Sequence, residues 1–122
     1  MFGFLRPSGP QPRSIAPAKA VARAARGDLV VIDIRDASEL RASGTARGAI
    51  HVPMASLRMK LDPASPELLP GITPTTPIAL YCASGGRSQS AAQALIAMGY
   101  TEVYNLGGLH DWQAGGGVVD RA

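Results

Sequence analysis

Residues 78–99, IALYCASGGRSQSAAQALIAMG, decide how this chain is expected to fold. Four apolar residues open the stretch, and so short a continuous apolar run predicts a strand buried on both faces, as in a parallel sheet. A loop of small residues follows and begins with Cys82, the only cysteine of the chain. Residues 89–98 then predict a helix that ends at Gly99. A strand, a loop and a helix in this order form the repeating unit of an α/β domain.

The same alternation of strand and helix runs through the rest of the sequence. Further strands are predicted at residues 29–34, 49–53 and 102–105, where apolar and β-branched residues cluster. Further helices are predicted at residues 17–26, 37–42, 54–61 and 111–114. The first of these helices opens with Pro17, and the second has a capping box formed by Asp36 and Glu39. The pattern predicts an α/β domain with a largely parallel central sheet.

Length and composition set further bounds. The chain has 122 residues, of which 46% are hydrophobic and 17% charged, which is enough apolar material for one core and one domain. The net charge of +3 is spread along the chain and aromatic residues make up only 5%, which argues against nucleic-acid binding. No apolar run approaches the roughly 20 residues of a membrane helix, and residues 1–12 lack the apolar core of a secretory signal. We therefore expect a soluble cytoplasmic protein.

Proline and glycine mark the domain boundaries. Residues 6–14 (RPSGPQPRS) contain three prolines and one glycine, so residues 1–14 are expected to form a flexible leader. The folded domain is then predicted to span residues 15–119, with a tail at residues 120–122.

The cysteine content restricts the chemistry. One cysteine excludes an internal disulfide, and a lone thiol suits a reducing compartment. Cys82, His51 and His110 are too few nitrogen and sulfur ligands for a structural zinc site, so no metal is expected.

The setting of Cys82 favours a reactive thiolate. Ligands of open α/β sheets bind at the carboxyl ends of the strands, and Cys82 lies at such an end. The small residues after it can turn several backbone N–H groups inward, and the next helix adds its positive end, which lowers a thiol pKa. Arg87 would add a fixed cation and Ser88 would cap the helix. The alternative is that Cys82 is a small buried packing residue.

Four segments resemble the rhodanese family. The run CASGGRS at residues 82–88 resembles its active-site loop, and VIDIRDASEL at residues 31–40 resembles its first core strand with an Asp-x-Arg sequence. GTARGAIHVP at residues 44–53 and the Gly-Gly-x-x-x-Trp ending within residues 99–116 follow in the family's order. The resemblance implies a single rhodanese-like domain whose mostly parallel sheet of about five strands is flanked by helices.

The resemblance also implies an activity. Cys82 would act as the nucleophile of a sulfurtransferase, taking sulfane sulfur from thiosulfate or a persulfide and passing it to a thiol, to cyanide or to a sulfur-accepting protein. The substrate-binding loop would comprise Ala83, Ser84, Gly85, Gly86, Arg87 and Ser88. No metal or organic cofactor is implied. Asp33 and Arg35 would support the site through a pair with Arg87, or would form a structural ion pair instead.

Some positions depart from the family or carry weaker expectations. Residues 45–47 (Thr-Ala-Arg) differ from the usual family segment, and Ala83 replaces a basic residue of some thiosulfate-using members, which leaves Arg87 as the only cation of the loop. We expect His51 and His110 to be structural, and Trp112 to serve in packing.

Three other functions compete with sulfur transfer. Related phosphatases and arsenate reductases carry five residues between Cys and Arg, whereas this chain has four between Cys82 and Arg87, which suits a terminal sulfur better than a tetrahedral anion. Family members can also be non-catalytic interaction or sulfur-relay modules, although these usually lack the cysteine. A thioredoxin-like or peroxide-sensing thiol is disfavoured because no second cysteine is present.

Overall fold

The computed structural model describes residues 11–122. Its strands are β1 (Arg13–Ser14), β2 (Val30–Asp33), β3 (Thr45–Ala46), β4 (Ile50–His51), β5 (Ile78–Cys82), β6 (Val103–Gly108) and β7 (Val119–Asp120). Its helices are α1 (Pro17–Ala25), α2 (Ala37–Ser43), α3 (Leu57–Leu61), α4 (Gly86–Ala97) and α5 (Leu109–Ala114), and a 3-10 turn (Met54–Ser56) precedes α3. Within this range no helix is long and apolar enough to cross a membrane.

Five strands form one parallel sheet in the order β1-β6-β5-β2-β4. Every neighbouring pair in this sheet is parallel, while β3 and β7 form a separate antiparallel ribbon. The prediction of an α/β domain with a mostly parallel sheet of about five strands is confirmed. Because the strands run in one direction, their carboxyl ends all reach the same edge of the sheet.

The core has two halves, one on each face of the sheet. Along β5, Ile78, Leu80 and Cys82 face the half that contains α3 and α4. Ala79 and Tyr81 face the other half, which includes residues of α1 and α5. All five residues of β5 are buried, as expected for a central parallel strand covered on both faces. Trp112 packs in the second half, and its indole N–H donates to the carbonyl of Val118 at 2.8 Å.

The amino-terminal boundary lies earlier than the sequence indicates. Arg13 and Ser14, which we assigned to a flexible leader, form an edge strand paired with Tyr104 and Asn105 of β6. The Arg13 guanidinium also lies over the Tyr104 ring, 5.3 Å from its centroid, and this contact holds the short strand in place. Residues 1–10 of the expected leader lie outside the described residues.

A buried ion pair stabilises the end of β2. The Asp33 carboxylate, which is fully buried, accepts hydrogen bonds from the Arg35 guanidinium at 2.8 Å and from the hydroxyls of Thr45 and Tyr81 at 3.0 and 2.5 Å. Arg35 also donates to the carbonyl of Gly44 and to the hydroxyl of Ser43. Burial alone would raise the pKa of Asp33, but the bonds from Arg35 and Tyr81 outweigh it and lower this pKa.

We predict that Arg35→Met lowers the free energy of unfolding by about 3 kcal/mol, because it leaves the Asp33 charge buried without its counterion. Urea denaturation measures the change. Arg47→Met is the matched control: Arg47 pairs with Asp120 but is 65% exposed, so its loss is expected to cost much less stability. Equal losses in the two variants would contradict the structural role of the buried pair.

Candidate active site

The loop after β5 surrounds the Cys82 thiol with backbone N–H groups. Cys82 ends the strand with only 1% of its surface exposed, and Gly85 closes the loop before α4 begins at Gly86. Gly85 has φ +103°, in the left-handed region that glycine adopts without strain, and this conformation turns its N–H onto Sγ at 3.0 Å. The expected curled loop of inward-facing N–H groups is therefore present at Cys82.

Hydrogen bonds outweigh burial in setting the pKa of Cys82. Burial alone would raise it, because a thiolate is poorly solvated away from water. The Ser88 hydroxyl and the backbone N–H groups of Ser88, Gly85 and Ser84 stabilise the thiolate more strongly, and together they lower the pKa from 9.0 to about 7. At neutral pH a substantial fraction of Cys82 is therefore the thiolate, the nucleophilic form of cysteine.

Ser88 does not cap α4, contrary to our expectation. The left-handed Gly85 lets the helix begin at Gly86, three residues before the predicted start, so Ser88 lies within its first turn and is buried. Its hydroxyl lies 3.5 Å from Sγ of Cys82 and 2.7 Å from the side-chain oxygen of Asn105, and its single proton is donated to one of the two at a time. Ser88 thus faces the sulfur directly.

Asn105 connects the loop to the neighbouring strand by hydrogen bonds, a role that was not predicted from the sequence. Its side-chain nitrogen donates to the carbonyl of Gly85 at 3.0 Å, and its side-chain oxygen accepts from the N–H of Gly107 at 2.9 Å. A bulge in β6 permits this arrangement, because Leu80 pairs with Asn105 but the next residue, Tyr81, pairs with Gly107. The available signal was a polar side chain near the carboxyl end of a strand predicted beside the cysteine loop.

Gly108 allows β6 to approach the loop closely. A Cβ atom at this position would overlap the carbonyl oxygen of Ala83 and lie 3.4 Å from that of Cys82. The Gly-Gly pair of the sequence therefore has a steric role in the site, because it gives the chain after Cys82 room to turn.

Arg87 forms an ion pair with Glu39 of α2. Its two terminal nitrogens donate to the two carboxylate oxygens at 2.7 and 2.8 Å, a bidentate contact. The hydrogen bond from Arg87 is the main cause that lowers the pKa of Glu39, to about 2. Of the two alternatives for Asp33 and Arg35, the structure has the structural ion pair: they pair with each other beside Tyr81, on the opposite face of the sheet from Cys82, and not with Arg87.

Of the two histidines, His110 lies beside the loop and His51 of β4 lies beside the end of β2. His51 contacts the carbonyl of Arg35 through Nε2 at 2.6 Å, a structural position. Grooves of about 360 and 370 Å³ flank the loop; Ser84 and Asp111 line one, and Ala83, Glu39 and His110 line the other. Within residues 11–122 no cluster of three or more His, Cys, Asp or Glu side chains is arranged to hold a metal ion.

This fold and this loop are those of a known class, and comparison with known proteins identifies it. The chain belongs to the rhodanese-like domain family, whose model matches residues 16–115. The expected family is thereby confirmed.

Two relatives and one solved structure show how similar the chain is to known members. A thiosulfate sulfurtransferase GlpE of Coxiella burnetii is 36% identical over 88 residues, covering 71% of this chain and 74% of the relative. A thiosulfate sulfurtransferase GlpE of Pseudomonas putida is 32% identical over 103 residues, which cover 84% of this chain and 86% of the relative. A solved structure from Rhodopseudomonas palustris, a protein of unknown function described as a possible tyrosine phosphatase, superposes with a TM-score of 0.77 at 31% identity. The superposition covers 89% of this chain and 85% of that protein.

We predict that Cys82 titrates with a midpoint near pH 7 and that Ser88→Ala moves this midpoint toward 9, because one hydrogen bond to the thiolate is lost. The ultraviolet absorbance of the thiolate measures the titration at one site, since the chain has one cysteine. Cys82→Ser supplies the background. Ser90→Ala, an exposed position of the same helix, should leave the midpoint unchanged. An unchanged midpoint in Ser88→Ala would refute the role of its hydroxyl.

We also predict that Gly108→Ala costs about 2 kcal/mol of stability and raises the Cys82 pKa, because the added methyl group displaces the Ala83 carbonyl and with it the loop. Urea denaturation and the thiolate titration measure the two effects. Gly86→Ala is the control, since among the described residues a Cβ there meets no atom within 4 Å apart from its chain neighbours and its own helix backbone. A Gly108→Ala protein with normal stability and titration would contradict the steric role of this glycine.

Proposed function

We propose that this protein is a rhodanese-type sulfurtransferase in which Cys82 carries the transferred sulfur. The observation that carries the proposal is the thiolate-stabilising loop around Cys82, in which the N–H of Gly85 and the hydroxyl of Ser88 face the sulfur. The relatives named thiosulfate sulfurtransferase, at 32–36% identity, support the same activity.

In the first step the Cys82 thiolate attacks the outer sulfur of the donor. A sulfur–sulfur bond forms to Cys82 while the bond within the donor breaks, and the electron pair leaves with sulfite when the donor is thiosulfate or with a thiolate when it is a persulfide. The product is Cys82–S–S⁻. No proton is transferred, so the chain needs a nucleophile and a site for a terminal anion, and no general acid. The loop N–H groups are suited to hold that anion.

In the second step an acceptor removes the sulfur. A thiolate or cyanide attacks the outer sulfur of the persulfide, and Cys82 leaves as the thiolate that began the cycle. Because Cys82 is the only cysteine, no second thiol of the chain can take the sulfur as a disulfide partner. The acceptor is therefore a small molecule or a sulfur-accepting protein, and the chemistry uses the side chain of Cys82 without a metal or organic cofactor.

The chemistry suits a reducing compartment, and we place the activity in the cytoplasm. A free thiolate with a pKa near 7 is readily oxidised or captured as a mixed disulfide in an oxidising environment. The mild net charge of +3 and the small grooves fit small anionic substrates rather than nucleic acid or membrane.

Phosphatase activity is the second candidate, because a solved relative is described as a possible tyrosine phosphatase. Two features weigh against it in this chain. The loop has four residues between Cys82 and Arg87, and Arg87 is held by a carboxylate rather than left free for a phosphate. A non-catalytic sulfur-relay or interaction module is the third candidate, and the lowered pKa of Cys82 argues for chemistry instead.

The experiment loads the reduced protein with thiosulfate and, separately, with cysteine persulfide, removes the excess and measures the intact mass. We expect a gain of one sulfur atom that cyanide or a thiol discharges, and no gain in Cys82→Ser. Aryl-phosphate hydrolysis is measured beside it. Absence of loading with both donors would overturn the proposal in favour of an interaction module, and aryl-phosphate turnover without loading would favour a phosphatase.

A further inference from the structure

The Cys82 loop contains one arginine, Arg87, and the carboxylate of Glu39 balances its positive charge. The Arg87 guanidinium forms two hydrogen bonds to Glu39, and the pair is only partly open to solvent, with Arg87 39% and Glu39 30% exposed. The pKa of Glu39 lies near 2, so the carboxylate remains charged at every pH at which Cys82 is a thiolate. Both groups therefore keep their charges under working conditions.

No other cation compensates for this among residues 11–122 that line the grooves beside the loop. Arg35 is the only arginine or lysine along either groove, and it is buried against Asp33. Two carboxylates lie along the grooves, Glu39 in one and Asp111 in the other. Glu39 is held in place from its own helix as well, since its Oε1 accepts the N–H of Asp36 at 3.1 Å.

The two classes of sulfur donor differ in the charge that they bring to the sulfur atom. Thiosulfate is a dianion whose whole charge lies within two bonds of the attacked sulfur, and sulfite leaves with two negative charges. A small persulfide brings one negative charge to that end. Once Glu39 matches the charge of Arg87, Coulomb repulsion from the Cys82 thiolate penalises thiosulfate about twice as strongly as a small persulfide.

We propose that Glu39 determines the sulfur-donor class of this enzyme: by neutralising Arg87 it makes the site select singly charged persulfides over thiosulfate. The inference rests on the sulfurtransferase activity proposed above. Glu39 acts through Arg87 and is a specificity-determining residue that touches no reacting atom. The loop N–H groups are not neutralised by Glu39 and are suited to hold the terminal sulfur of the Cys82 persulfide, which also carries one charge.

The test compares kcat/KM for thiosulfate and for cysteine persulfide, with cyanide as acceptor. The wild-type protein should prefer cysteine persulfide. Glu39→Gln should lower the KM for thiosulfate roughly tenfold, the effect of about 1.4 kcal/mol, and change that for cysteine persulfide less than about twofold. The gain should shrink as salt is added, because the freed guanidinium acts through its charge. Glutamine keeps an oxygen for the Asp36 N–H, so the helix cap is preserved.

Two further variants separate the proposal from simpler causes. Glu67→Gln removes the same charge from a carboxylate near Lys60, remote from the loop, and should change neither donor. In an Arg87→Met background, Glu39→Gln should no longer improve thiosulfate use, since there is no guanidinium to free. A thiosulfate gain that persists in that background would mean that Glu39 acts by its own charge alone, and would overturn the proposal.

Each remaining outcome of the test also counts against either the donor preference or the proposed function. A wild-type preference for thiosulfate, or an unchanged ratio of the two donors in Glu39→Gln, would overturn the inference and leave sulfur transfer intact. Failure of both donors to load Cys82 in the wild-type protein would refute the proposed function itself. Thermal unfolding of each variant identifies any that has lost its fold, and the wild-type preference tests the inference without a variant.

Discussion

The parallel pairing of β5 with β2 on one side and β6 on the other is the constraint on which the site depends. β5 is buried at all five positions and is hydrogen-bonded along both edges. Because the three strands run in the same direction, the segments that follow them leave the sheet at one edge. The loop at Cys82, the Gly-Gly pair of β6 and the start of α2 after β2 are therefore brought together, although they are far apart in sequence.

Successive side chains of β5 point to opposite faces of the sheet, so the reactive thiol and the buried ion pair lie on different faces. Cys82 faces α4, and its neighbour Tyr81 faces the other half of the core, where its hydroxyl bonds to Asp33. The Asp33–Arg35 pair consequently stabilises the chain at the end of β2 without contacting the sulfur. Its effect on the site is indirect: it fixes the segment that leads into α2, and α2 places Glu39 against Arg87.

Features of the fold and site that depend on neighbouring residues could be predicted from the sequence, whereas features that depend on contacts between distant residues could not. The strand, loop and helix at residues 78–99 follow from local periodicity, and the fold class was predicted correctly from it. Contacts of Arg87 with Glu39 and of Ser88 with Asn105 join residues 48 and 17 positions apart, and no local pattern specifies which partner a side chain selects. The start of α4 was misplaced because one left-handed residue, Gly85, turned the chain into the helix early.

Burial raises the pKa of Cys82, and hydrogen bonds to the thiolate lower it more strongly, to about 7. Backbone N–H groups and one hydroxyl stabilise the thiolate by short, directed hydrogen bonds, whereas a free guanidinium beside Sγ would lower the pKa further. A lower pKa is no advantage once the thiol is largely ionised, because the nucleophilicity of a thiolate falls with its pKa, and attack is fastest when that pKa is close to the ambient pH. Because burial offsets part of the effect of these hydrogen bonds, the pKa of Cys82 lies close to that optimum.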